Sequence, residues 1–357
     1  MRRINYWLAS FVVGSLLVFS SCSDDDPMDP PMMEDDSFYA TMLGGTTLVP
    51  DPDNPGQQIQ QGFLNLRTVV TNTVLTIATN EGGVYDDLLP YFSVLLNEVA
   101  RDDFSGFAQL VDDFTIFLAE ATGGPFTYTG LDMEAAHDPQ RNPRMDGLIN
   151  NADYDLFIQA VVEGAAQAGI TSSDVIGPVG ELLESVREPI VQRADDEMLD
   201  LYTRLGGSGL IDDPENPGQL IEAGFVPLRA VVTETVLLIA SNPEGKYTDL
   251  LPYFSVLLAE VGAGDTSGFA TLVQDFSEFL AEAIGSVNIQ YTGLDMVAAH
   301  DPEQNPRMTG LVNAADYDLF VAAIVEAAKG LEVPESVIGE FGGLLNSPGL
   351  RDAVIQR

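Results

Sequence analysis

Two histidines are the only imidazole side chains in the 357-residue chain, and they occupy the same position in a stretch that occurs twice. His137 lies in YTGLDMEAAHDPQRNPRMDGLINNADYDLF, residues 128–157, and His300 lies in YTGLDMVAAHDPEQNPRMTGLVNAADYDLF, residues 291–320. A neutral imidazole can bind a metal ion through one ring nitrogen, although a lone histidine in a helix can also be an ordinary, partly buried residue. The repetition indicates one domain present in two copies, each with one candidate ligand.

Other chemistry-bearing patterns are weak. The sequence has no Ser/His/Asp set, no Cys/His metal cluster and no Gly-rich loop suited to phosphate. Asp51, Asp53 and Gly56 are spaced somewhat like a calcium loop, but Pro55 stands where a ligand is needed and no acidic residue closes the site. A polar turn leading into a helix is the main interpretation of this segment, and its counterpart IDDPENPG is read in the same way.

Charge restricts the classes of partner. The chain has 55 acidic and 15 basic residues, which gives a formal net charge of −40 at pH 7. Such a surface repels a phosphate backbone, so nucleic acid is excluded as an expected partner. The hydrophobic content of 45% is enough for two cores of roughly 150 residues each.

The elements that must position the histidines have a helical pattern. Apolar residues recur at helical spacing in both copies, and no alternating strand pattern occurs in them. The fold class is therefore predicted as all-α, with two tandem domains at residues 37–194 and 195–357. The first stripe consists of Leu66, Val69, Val70, Val74 and Ile77, matched by Leu228, Val231, Val232, Val236 and Ile239; the second consists of Phe104, Phe107, Val111, Phe114 and Phe117, matched by Phe269, Val273, Phe276 and Phe279.

The N-terminus has the features of an exported lipoprotein. Arg2 and Arg3 precede an apolar run that ends just before Cys22, the only cysteine of the chain. We expect a signal peptide at residues 1–21, a lipid on Cys22 that anchors the protein in a membrane, and an acidic, Pro-rich tether at residues 22–36. A soluble exported protein with an unpaired thiol is the alternative. The residues around Cys22 resemble a bacterial lipobox and a surface-export signal, which implies an outer membrane lipoprotein facing the cell exterior, or alternatively the periplasm.

Taken together, the motifs resemble the truncated haemoglobins of group 1. Each copy has a Tyr shortly before Leu-Gly-Gly, a helix of the RAVV type, a Phe-rich helix, the block Tyr-Thr-Gly-x-x-Met-x-x-Ala-His and a terminal helical pair, in that family's order. The resemblance covers each copy nearly end to end. It implies a truncated-globin fold that binds two haem groups per chain.

The resemblance also implies roles for individual residues. His137 and His300 would bind the haem iron, and the residues that line the turn and the proximal side, or wedge against the porphyrin, are Phe92, Tyr128, Met133, Phe254, Tyr291 and Met296. On the distal side, Val74 and Val236 replace the tyrosine whose hydroxyl would hydrogen-bond a bound diatomic molecule. Gln109 and Asp113, or Thr271 and Asp275, are expected to supply distal polar groups; alternatively the two aspartates point to solvent.

Three functions follow from these residues. The first is a haem protein that binds O2, NO or a related diatomic ligand, with NO dioxygenation as the reaction that the resemblance implies if the protein is an enzyme. The second is a haem-free, degenerate globin fold that serves as a surface interaction module, and the third is a surface haem-capture protein. The sequence identifies no redox partner.

Overall fold

The computed structural model describes residues 36–357, and residues 37–357 form one compact unit. The predicted signal peptide, the lipidation site at Cys22 and all but the last residue of the tether lie outside the described residues. Within the described part the fold is all-α apart from two short hairpins. None of the helices in this part is long and apolar enough to cross a membrane.

The order of elements in residues 37–193 recurs in residues 200–357, and we refer to these as the first and second halves. The first half contains α1 (Phe38–Met42), β1 (Leu48–Pro50), β2 (Gln58–Gln60), α2 (Gln61–Thr79), α3 (Ser93–Ala100), α4 (Ser105–Ala121), α5 (Met133–Ala136), α6 (Asn151–Gln167), α7 (Ser173–Ser185) and α8 (Arg187–Ile190). The second contains α9 (Leu201–Arg204), β3 (Leu210–Asp212), β4 (Leu220–Glu222), α10 (Phe225–Ser241), α11 (Ser255–Gly262), α12 (Ser267–Ala283), α13 (Met296–Ala299), α14 (Ala314–Gly330), α15 (Glu335–Leu345) and α16 (Pro348–Val354). Short 3-10 turns at Asp86–Phe92 and Leu251–Phe254 precede α3 and α11.

The long helices pack through the stripes that the sequence predicts. In the first half α2 packs against α4 and α6, and its stripe from Leu66 to Ile77 is buried. The equivalent helix α10 packs against α12 and α14. Asn80 ends α2 in a left-handed conformation with φ of 43°, and its backbone N–H bonds to the Thr76 carbonyl. Phe104, which the sequence places on the second stripe, precedes α4 and is 56% exposed, so that prediction is wrong for this residue.

The two hairpins are not predicted by the sequence. β1 pairs with β2 in antiparallel register, with Val49 opposite Ile59, and β3 pairs with β4 in the same way. The Asp/Asn/Pro segment between β1 and β2, residues 51–57, forms the loop of the first hairpin. The Asp51 carboxylate organises it by accepting hydrogen bonds from the Asp53 backbone and from Asn54, and by pairing with Arg67 at 2.7 Å. A guanidinium from α2 therefore supplies the positive charge beside this carboxylate.

A buried carboxylate joins the two halves. Asp146, in the first half, accepts hydrogen bonds from the backbone N–H and the hydroxyl of Ser208, at 3.0 and 2.7 Å, and from the Ser93 hydroxyl. Ser208 lies in the turn that follows α9, at the start of the second half. The equivalent of Asp146 in the second half is Thr309, which is exposed. The contact is thus specific to the junction between the halves.

Candidate functional site

Each histidine follows the last residue of a four-residue helix. The side chain of Asp295 caps α13 by accepting a hydrogen bond from the Ala298 N–H at 2.9 Å, and Asp132 caps α5 in the same way. The Asn305 side chain donates to the Ala299 carbonyl at 2.7 Å, directly before His300. The capped helix and the asparagine fix the backbone from which the imidazole projects.

One nitrogen of each imidazole is committed to the backbone. Nδ1 of His300 lies 2.8 Å from the Met296 carbonyl oxygen, and Nδ1 of His137 lies 2.8 Å from that of Met133. Because a carbonyl oxygen can only accept, Nδ1 must carry the proton. The neutral ring then presents the lone pair of Nε2 in a fixed orientation, which is the arrangement typical of a metal-binding histidine.

Burial favours the neutral form of both rings. It lowers the pKa of His137 and of His300 below the ordinary value, and the hydrogen bond to the Met133 or Met296 carbonyl opposes this shift more weakly. A ring that stays neutral keeps its Nε2 lone pair available, so this environment suits a ligand.

We expect both histidines of the purified protein to titrate below a pKa of about 6.5. As the pH falls, the unfolded chain would then take up protons before the folded chain does, so the protein should lose stability below about pH 6.5 and keep it above. Proton NMR can measure this directly, because the chain contributes only two sets of imidazole signals. A His137→Gln variant assigns them, and a midpoint at or above that value for either ring would contradict the prediction.

A cavity of about 410 Å³ lies beside His300 in the second half. This volume is within the range of small-molecule and cofactor sites. All the residues that the sequence singles out in this half line the cavity, namely Val236, Phe254, Thr271, Asp275, Tyr291, Met296 and His300. The structure thus brings together residues from α10, α12, α13 and the 3-10 turn before α11.

The walls of the cavity are mainly apolar and aromatic. The Phe320 ring from α14 packs against Phe254 and Phe276, with ring centroids 6.5 and 5.9 Å apart. In the first half, Phe92 packs on a cluster that contains Ile77 and Met145, and Val74 is buried. An apolar wall of this kind excludes water from a metal-bound ligand.

The distal polar groups have the same exposure in the two halves, since Thr271 is exposed like Gln109 and Asp275 is half-buried like Asp113. Thr271 and Asp275 line the cavity, and burial raises the pKa of Asp275, with a smaller contribution from Glu278. Asp275 is therefore turned toward the cavity rather than wholly to solvent.

The threonine next to Val236 offers no free hydroxyl to the cavity. Its neighbour Thr235 also lines the cavity, but the Thr235 hydroxyl donates to the Val231 carbonyl at 2.7 Å. Thr73 in the first half does the same with Val69 at 2.8 Å. These threonines satisfy their hydroxyls within their own helices, so they do not replace a tyrosine hydroxyl.

The two tyrosines of the Tyr-Thr-Gly blocks serve the turn. The Tyr291 hydroxyl donates to the Leu294 carbonyl at 2.8 Å, and the Tyr128 hydroxyl donates to that of Leu131 at 3.0 Å. A Cβ added at Gly293 would overlap the Tyr291 ring, which explains the glycine at this position. The Tyr128 ring packs edge-on against Phe117 of α4, and the Tyr291 ring packs edge-on against Phe279 of α12. The ring centroids are 5.8 Å apart in both pairs.

Sequence reasoning missed several residues that line the cavity. Asn305, Arg307 and Met308 come from the segment that follows His300, and Asp316 and Phe320 come from α14. The signal was present, because Asn-Pro-Arg-Met recurs unchanged at residues 142–145 and 305–308. Repeated identity inside the histidine stretch could have identified this segment as part of the site.

A comparison with known proteins adds no relative: no protein-family model, curated protein or solved structure matches this chain.

Proposed function

We propose that the chain is a truncated-haemoglobin-like protein that binds two haem groups, one at His137 and one at His300. The observation that carries the proposal is the hydrogen bond from Nδ1 to the backbone carbonyl four residues earlier, which is present at both histidines. This bond leaves the lone pair of Nε2 in a fixed orientation, free to bind a metal ion. The apolar cavity beside His300 supports it independently.

The residues present fit a haem group in the second half. A bound haem would supply an iron that can bind both a histidine and a diatomic ligand such as O2 or NO. His300 would hold the iron, Phe254 and Met296 would contact the porphyrin, and the side chains of α10 and α12 would enclose the opposite face. Because each half has only one histidine, internal coordination by a second histidine is unavailable.

An absorption spectrum of the purified protein after addition of haemin tests the proposal. We expect an intense band near the blue edge of the visible range that grows in proportion to bound haem. A haem-free interaction module would give only the spectrum of free haemin. A haem-capture protein would give the band but would pass its haem to an acceptor within seconds to minutes, whereas a resident haem should be retained.

Replacing Val236 with tyrosine should slow release of the diatomic ligand from the second half. Val236 lines the cavity and is 5% exposed, so a hydroxyl placed there enters a water-poor space. A hydrogen bond in such a space contributes on the order of 1–3 kcal/mol, which corresponds to roughly a ten- to hundredfold slower release. Flash photolysis or rapid mixing in a His137→Ala background measures this rate. Val236→Phe is the matched control for bulk, and equal rates in the two variants would contradict the prediction.

A further inference from the structure

Arg307 is a cation at the rim of an otherwise acidic and apolar cavity. Within residues 36–357, it is the only arginine or lysine that lines the cavity beside His300. The segment between His300 and α14 carries it, and its side chain is 44% exposed. In a protein with a formal charge of −40, a cation at the mouth of a ligand cavity is a distinctive feature.

Arg307 is held in place by a carboxylate. Its two terminal nitrogens donate to the two oxygens of Glu260 on α11, at 3.0 and 2.5 Å. A Cβ added at Gly268, in the first turn of α12, would overlap both the guanidinium and the carboxylate, so the glycine makes room for this pair. Of the five N–H groups of the guanidinium, three remain for another acceptor.

The same pair is present in the first half. Arg144 donates to both oxygens of Glu98, at 2.9 and 2.5 Å, and a Cβ added at Gly106 would overlap this pair too. The same bidentate pair is therefore present in both halves, each time beside a glycine in the first turn of α4 or α12.

The opposite end of the cavity is unsuited to an anion. Gly268 and Asp275 are seven residues apart on α12, which places them on the same face about 10 Å apart. Asp275 lines the cavity and faces no cation, whereas the other acidic lining residue, Asp316, is paired with Arg357. The cavity therefore has guanidinium N–H donors at the Arg307 end, where Glu260 balances the charge, and a carboxylate without a paired cation at Asp275.

We propose that Arg307 binds the carboxylate groups of the haem and thereby sets its orientation in the second half, with Glu260 holding the guanidinium and competing for it. This inference rests on the proposed function. Haem carries two carboxylates on one edge, and a guanidinium binds a carboxylate through directed, charge-assisted hydrogen bonds.

The rate of haem transfer to an excess of a haem-free acceptor protein tests the proposal. The parent is the full chain with His137→Ala, so that only the second half is loaded. Arg307→Gln should accelerate haem loss about three- to tenfold, because a half-exposed charge pair is lost. Glu260→Gln should slow haem loss, because it frees the guanidinium for the haem carboxylates. Lys329→Gln, which removes an exposed charge outside the cavity, is the control and should change nothing.

A second ligand separates the carboxylate contact from a merely structural role. With haem dimethyl ester, whose carboxylates are uncharged, the effects of Arg307→Gln and Glu260→Gln should disappear. Equal acceleration with haem and its ester, acceleration by both variants with haem, or no difference from Lys329→Gln would overturn the role of Arg307. A parent that binds no haem would instead overturn the proposed function itself.

Discussion

Replacing His300 with glycine in a His137→Ala background should abolish tight haem binding, and added imidazole should restore it. The chain would then contain no imidazole, and the space beside Met296 would accept a small ligand in place of the side chain. Loss of partners that merely orient a ligand costs about 10- to 100-fold in metal affinity, so loss of the ligand itself should cost at least about a hundredfold. Haemin titration with and without imidazole measures both effects.

The control for this experiment is the His137→Ala parent, which should bind one haem with unchanged affinity when imidazole is added. Near-parental affinity of the double variant without imidazole would show that another side chain binds the iron. The circular dichroism of the variants without haem should match that of the parent, since only a partly buried ring has been removed.

The junction between the halves should depend on one carboxylate. Asp146→Ala leaves the N–H and the hydroxyl of Ser208 and the hydroxyl of Ser93 without their acceptor. Because Ser208 is buried, we expect a loss of about 2–4 kcal/mol in the free energy of unfolding, measured by urea denaturation. Water cannot readily replace this acceptor at a closed junction.

Thr309→Ala is the matched control, because it alters the equivalent, exposed position of the second half. Its effect should stay within about 0.5 kcal/mol. If both variants have the same small effect, Asp146 does not stabilise the junction.

The long helices could be predicted from sequence because their stripes are long and regular. In α2 and α10 the apolar residues recur over several turns, and burial follows that pattern directly. The hairpins could not be predicted in this way, since each strand has three residues, too few to establish an alternation. Phe104 was misplaced because helical spacing alone does not show that a helix begins only at Ser105.

The candidate site was predictable where a residue type has a specific chemical use. His300 stood out as one of two imidazoles, and the apolar positions around it followed from the order of motifs. Arg307 did not stand out, because its role depends on Glu260 and Gly268, which are distant in sequence and meet only in the folded chain.

The stoichiometry of haem binding tests the central claim most directly. Haemin added in small steps to the purified protein should give an absorbance break at two equivalents per chain. His137→Ala and His300→Ala should each shift the break to one equivalent, and the double replacement should remove it. A double variant that still binds two haem groups would contradict the account.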